Sequence, residues 1–246
     1  MLYNKYMIKK ATDFDLFLSV PLAHRGLFKG VCAENSLAAF KNAVENGFGI
    51  ELDVRLTKDG QVVVFHDDKF DRLCNVDGCV EDTDYADIQK LNLSDGQKIP
   101  LLSEVLKEVR GRAPLLIEFK TKNKNHKKLV DATTDLLKNY DRKTVAYQSF
   151  YPLCVRYARA KTDITTGQLS GGNITGYGSF VKSLFYNLSI LTLSKGQFVN
   201  YEVDYLPDNK HVKKYRQKGG KVLCWLVDDD KKREIAKEYA DNVVFE

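Results

Sequence analysis

The sequence predicts a (β/α)8 (TIM) barrel. Three observations carry that expectation. Eight short β-rich runs begin near residues 22, 49, 115, 144, 164, 198, 221 and 242, helix-patterned stretches separate them, and ionisable residues cluster where the early runs end. Strand–helix repetition builds a parallel sheet, and eight units suffice to close it. The rival, an open doubly wound sheet, is disfavoured because no G-x-G-x-x-G follows the first strand. With 246 residues, 43% of them apolar, and 13 Phe and 13 Tyr, the chain can fill one such core. No linker divides it, so residues 1–246 read as one domain.

Each element has a local reason. PLAHRG (21–26) is a short apolar run ending in His24 and Arg25, and ENSLAAFKNAVENG (34–47) places Leu37, Phe40 and Val44 at helical spacing with Gly47 as a stop. FGIELDVRL (48–56) and QVVVFHD (61–67) are β-rich, and the Asp59-Gly60 pair between them signals a hairpin. That link is too short for a helical crossover, so the two strands are expected to be antiparallel neighbours. Residues 67–99 are polar and turn-rich and read as a small insertion. Alternation then resumes. Helix LLSEVLKEVR precedes strand LLIEFK, KKLVDATTDLLKNY precedes TVAYQSF, and YPLCVRYARAK precedes ITTGQL. SGGNITGYG reads as a flexible loop or lid, and the single helical pattern SFVKSLFYNLSILTLS (179–194) precedes QFVNYEV. DNKHVKKYRQKG precedes KVLCWLV, and KKREIAKEYA precedes the last strand, DNVVFE.

Composition narrows the function classes. The net charge of +5 comes from 38 basic and 33 acidic residues spread along the chain, which suits an anionic small-molecule substrate and argues against nucleic acid. Five cysteines with no C-x-x-C pair argue against a disulfide framework or zinc knuckle, although Cys74 and Cys79 are near enough in sequence to meet on a loop. A reducing compartment is the simpler expectation. No secretory leader or membrane span is visible, so a cytoplasmic protein without stable membrane insertion is expected. Self-association leaves no mark in the sequence.

The strand ends carry His24 and Arg25, Glu51 and Asp53, His66, and Glu118 and Lys120. Residues two apart on a strand share a face, so Glu51 joins Asp53 and Glu118 joins Lys120. Buried carboxylates need a compensating cation, and three carboxylate oxygens suit a hard divalent ion, Ca2+ or Mg2+, better than zinc. Folding the hairpin about Asp59-Gly60 sets His66 opposite Asp53, within one register step. Two imidazoles beside a metal, with Arg25 and Lys120 as fixed donors, make a phosphoryl-transfer site in which one histidine takes a proton and the other gives one. The plainer alternatives are structural histidines and carboxylates paired with surface cations.

The segments AHRG, ENSLAAF, IELDVRLTKDGQVVVFHDD and LLIEFK resemble the glycerophosphodiester phosphodiesterase family, and VAYQSF and VLCWLVDDD continue the likeness more weakly. The resemblance implies a (β/α)8 barrel with an insertion after the second histidine. It implies His24 and His66 as acid and base, Glu51, Asp53 and Glu118 as metal ligands, and Arg25 and Lys120 as phosphate holders. It also implies Trp225 near the glycerol of the substrate, and hydrolysis of glycerophosphodiesters to glycerol 3-phosphate and an alcohol. Glu34 and Asn35 are expected to orient the first loop or to cap the helix that follows. Family members usually continue past the last strand into a closing helix, whereas residues 12–19 are expected to cover the bottom of this barrel. Beyond Lys120, the basic run KTKNKNHKK (120–128) reads as a solvated loop, and His126 and His211 are given no role. The competing functions are a barrel enzyme acting on intact lipids, of phospholipase D or phosphatidylinositol-cleaving type, and a catalytically silent binding module.

Overall fold

The computed structural model describes residues 12–121, 125–174 and 176–246. Part of the basic run (122–124), Thr175 of the glycine-rich loop and the first eleven residues lie outside the described residues. Nine strands form one sheet: β1 (Leu22–His24), β2 (Gly49–Leu56), β3 (Val62–Val64), β4 (Leu115–Phe119), β5 (Val145–Ser149), β6 (Thr165–Ser170), β7 (Phe198–Glu202), β8 (Lys221–Val227) and β9 (Asn242–Phe245). Their order is β1-β9-β8-β7-β6-β5-β4-β2-β3, and β1 also pairs with β2, which closes the cylinder. Every pairing among the eight barrel strands is parallel; β3 alone is antiparallel, a hairpin partner on β2.

The hairpin turns through Thr57–Gln61, with Gly60 at φ 85°. Val54 faces Val64, and the Phe65 N–H donates to the Asp53 carbonyl at 3.0 Å. Phe65 therefore sits opposite Asp53, one step short of His66, which leaves the strand just beyond it. Helices Leu37–Glu45, Leu102–Val109, His126–Leu136, Pro152–Lys161, Ser179–Tyr186, Lys210–Gln217 and Asp230–Tyr239 lie between successive strands. The expected long helix over 179–194 is two pieces, Ser179–Tyr186 and Leu191–Ser194. Leu188 takes a left-handed φ of 63°, and Asn187 Oδ1 accepts from the Ser189 N–H, which diverts the backbone from helical bonding.

The main apolar core lies between the sheet and its helices, around Phe40, Leu52, Ile117, Leu129 and Tyr147. A second cluster fills the cylinder: Leu22, Leu116, Ala146, Phe198, Leu223 and Val244 point inward and meet Phe17 from the short helix Phe14–Leu18. Gly167 makes room for this filling, since a β-carbon there would lie 2.2 Å from the Phe198 ring. Thr12 ties the plug to the sheet by donating to the Val145 carbonyl and accepting from the Thr165 N–H. Both partners begin their strands, so residues 12–18 stopper the N-terminal end of the barrel, as expected.

Residues 67–99 leave the alternation and pack Phe70, Val80, Ile88, Leu93 and Ile99 against Phe65, Val63 and Ala33. No disulfide joins Cys74 to Cys79 or to any other cysteine among the described residues. His126 is buried edge-on to Tyr151 and Tyr157. The glycine-rich loop is pinned at its start, where Glu202 Oε2 accepts from the Gly172 and Asn173 N–H groups at 3.0 and 2.9 Å. Among the described residues, no helix is long and apolar enough to cross a membrane.

Candidate active site

The chain turns as soon as β1 ends. Arg25 and Gly26 both adopt left-handed backbone, φ 55° and 83°. A β-carbon on Gly26 would lie 2.8 Å from Ala39, so only glycine fits there. The turn delivers the Arg25 N–H to Glu51 Oε2 at 3.3 Å and the Arg25 guanidinium to Glu34 at 2.6 Å, with Nε 3.5 Å from Asp53. Ser36 caps the following helix by accepting from the Ala39 N–H. Glu34 and Asn35 are therefore available to the site, and Asn35 Nδ2 donates to Asp53 Oδ2 at 2.9 Å.

Asp53 on β2 and Glu118 on β4 are register partners, and Glu51 lies two residues before Asp53 on the same face. The three buried carboxylates each present an oxygen within 4.8 Å of the others. Lys120 Nζ lies 2.6 Å from Glu118 and 3.4 Å from Asp53. Burial first, then repulsion from Asp53 and Glu118, raises the Glu51 carboxyl well above its ordinary range. Burial also raises Glu118, against the pull of Lys120. Burial pushes the same way on Asp53, but Lys120, His66, Arg25 and His24 together hold it low. The protein's own cations thus satisfy one carboxylate of the three. An oxygen-only donor set still short of positive charge fits a hard divalent cation.

Both strand-end imidazoles are anchored through Nδ1. His24 Nδ1 meets Glu246 Oε1 at 2.7 Å, and His66 Nδ1 meets Asp67 Oδ1 at 2.6 Å. A carboxylate at Nδ1 fixes the hydrogen there, so Nε2 keeps the lone pair of the neutral ring. Burial lowers His66 to a pKa of about 4, more than Asp53 and Asp67 raise it. Arg55 donates twice to the His66 carbonyl, at 3.0 and 2.8 Å, which fixes the strand exit.

One contact spans both halves. Arg72, from residues 67–99, donates through Nε to Asp67 Oδ2 at 2.6 Å and through its two terminal nitrogens to Glu34 at 2.9 and 2.7 Å. An alternating charge chain results: His66, Asp67, Arg72, Glu34, Arg25. Across the barrel, Gln148 Nε2 donates to Glu51 Oε1 at 3.1 Å, and Asn200 Nδ2 donates to Gln148 Oε1 at 2.9 Å.

His24, Arg25, Glu51, His66, Glu118 and Lys120 line one cavity at the C-terminal mouth, completed by Gln148, Phe150, Leu169, Asn200, Trp225 and Val244. Asp53 stands just behind, in contact with Arg25 and Lys120. Trp225 lies edge-on to Phe150, ring centroids 5.6 Å apart, and its Nε1 donates to the Ser170 carbonyl at 3.3 Å. A roomier groove on the barrel's outer face, beside Phe48 and Phe245, carries none of these side chains. The structure brings together all eight residues singled out in the sequence. Sequence reasoning missed Asp67, Arg72, Gln148, Phe150, Asn200 and Glu246. Lone polar residues inside VAYQSF and QFVNYEV were the available signal for Gln148 and Asn200.

Known proteins share this sequence and fold. Over 109 residues the chain is 43% identical to a glycerophosphodiester phosphodiesterase of Bacillus altitudinis, a stretch covering 41% of this chain and 44% of that protein. The chain thus spans less than half the length of this curated relative. A glycerophosphodiester phosphodiesterase structure from Thermotoga maritima superposes with a TM-score of 0.73 at 28% identity, covering 92% of this chain and 94% of that one. An Oleispira antarctica phosphodiesterase solved with the product sn-glycerol-3-phosphate shares the fold, with a TM-score of 0.79 at 23% identity over 92% and 93% of the two chains. Residues 24–244 match the family model described as the glycerophosphoryl diester phosphodiesterase family, and the chain belongs to that family.

Proposed function

We propose that the protein hydrolyses glycerophosphodiesters to glycerol 3-phosphate and an alcohol with a divalent cation, Ca2+ or Mg2+, as cofactor. The observation that carries this reading is the meeting of three buried carboxylates and two carboxylate-anchored imidazoles at one mouth. Glu51, Asp53 and Glu118 hold the cation, which when bound would polarise the phosphoryl oxygens and offset their charge. Arg25 and Lys120 grip the phosphate and fix its orientation. His66, held neutral by its burial, accepts the proton of the attacking oxygen at Nε2. The donor to the oxygen of the departing alcohol is His24 as imidazolium, which keeps its Nδ1 hydrogen on Glu246 and gives the one on Nε2. Glu246 and Asp67 hold the two rings in place. Trp225 and Phe150 wall the side where the glycerol arm lies. Names of relatives support this reading, as does the product bound in the Oleispira antarctica enzyme. Five cysteines that form no disulfide suit a reducing, cytoplasmic setting.

The test is release of glycerol 3-phosphate from glycerophosphocholine, with and without chelator. Chelation is expected to abolish turnover, and Glu51→Gln and Glu118→Gln are each expected to weaken calorimetric cation binding by about a hundredfold or more while leaving the fold intact. Turnover that survives complete chelation would refute the cofactor assignment.

A further inference from the structure

Asn200, the middle residue of β7, is 0% exposed and lines the cavity. Its orientation follows from its neighbours. Gln148 Nε2 donates to Glu51 Oε1 at 3.1 Å, and Gln148 Oε1, turned toward β7, accepts from Asn200 Nδ2 at 2.9 Å. Reversing either amide would set acceptor against acceptor or donor against donor. The chain of bonds finishes at Asn200 Oδ1, which is buried and has no hydrogen-bond partner among the described residues. An unpaired buried acceptor is destabilising, and a native structure keeps few of them.

We infer that Asn200 Oδ1 receives a hydroxyl of the glycerol arm, which makes Asn200 a residue that sets specificity at this mouth. The inference rests on the phosphodiesterase reading and adds the side chain on β7 that reads the arm. Charge and hydrogen-bonding chemistry single out this group. Phosphate oxygens only accept, so Oδ1 repels them while Arg25 and Lys120, on the same cavity wall, attract them. In glycerophosphocholine the quaternary ammonium has no hydrogen to give, and the glycerol hydroxyls are the donors that remain. A site built to receive a hydroxyl rejects the analogue lacking it, because its own polar atom is then stranded.

The experiment compares glycerophosphocholine with two analogues in which one or the other glycerol hydroxyl is replaced by hydrogen. In the wild-type protein, kcat/KM is expected to fall about tenfold or more for at least one analogue. Asn200→Ala is expected to bring the ratio between that pair close to one, with Asn200→Leu as the space-filling alternative if the alanine variant does not fold. Wild-type indifference to both deletions, a gap that survives in the variant, or an equal loss on all three substrates would each overturn the inference. Calorimetric binding of glycerol 3-phosphate and its two deoxy counterparts makes the same comparison without turnover. A protein inactive on all three diesters would refute the phosphodiesterase reading, and the binding ratios would still decide the role of Asn200.

Discussion

Replacing Arg72 should slow the reaction without unfolding the protein. Its three contacts, of 2.6 to 2.9 Å, tie the carboxylate that holds His66 to the carboxylate that holds Arg25. Charge-assisted bonds contribute about 1.5–3 kcal/mol each when enclosed. The Arg72 side chain is 46% exposed, however, so screening reduces each contact to about 1 kcal/mol. If about two of those three contacts act on the transition state, the loss is about 2 kcal/mol, or roughly thirtyfold in rate. Arg72→Ala is therefore expected to lower kcat about thirtyfold, with a smaller change in KM and little change in melting temperature. Arg72→Lys should recover only part, because an ammonium cannot bridge two carboxylates with a planar fork. Steady-state kinetics on glycerophosphocholine, with the melting temperature measured alongside, reads all of this. An alanine variant within twofold of wild type in kcat would refute the coupling of the two halves.

Two other outcomes follow from the described contacts. Asp67→Asn takes the charge out of the hydrogen bond that raises the His66 pKa, leaving a neutral amide oxygen as acceptor. A base must be unprotonated to work, so activity is lost as pH falls through that pKa, and the acid limb of kcat/KM should move to lower pH in the variant. An acid limb that stays in place or moves up would contradict His66 as the base. Phe17→Ala empties the stopper of the barrel and should cost about 3–5 kcal/mol of stability in urea titration, with the three clustered carboxylates undisturbed at the opposite end. A loss below about 1 kcal/mol would mean that Phe17 does not fill the cylinder.

The barrel was legible because its information is local: strand and helix periodicities alternate, and Asp59-Gly60 marks the one hairpin. The three carboxylates and two histidines were legible because each is an ionisable residue set within or just beyond an otherwise apolar strand. Other partners needed tertiary placement. Arg72 sits in a polar, turn-rich stretch where nothing distinguishes it from the neighbouring charges, and only packing of Phe70 and Val80 beneath Phe65 carries it to Glu34. Gln148 and Asn200 come from strands that are not adjacent, and their meeting depends on the curvature of the closed sheet. Glu246 reaches His24 only because β9 pairs with β1. The break at Leu188 was hidden by a helical hydrophobic pattern that runs across it.

The stopper at the bottom of the cylinder also governs traffic. Among the described residues, Phe17 and Phe198 close one end of the cylinder. On the proposed reading, cation, diester and both products would therefore pass through the doorway ringed by the strand-exit loops. Phosphate-bearing product would then have to vacate before the next diester is admitted, and inhibition by product should be competitive.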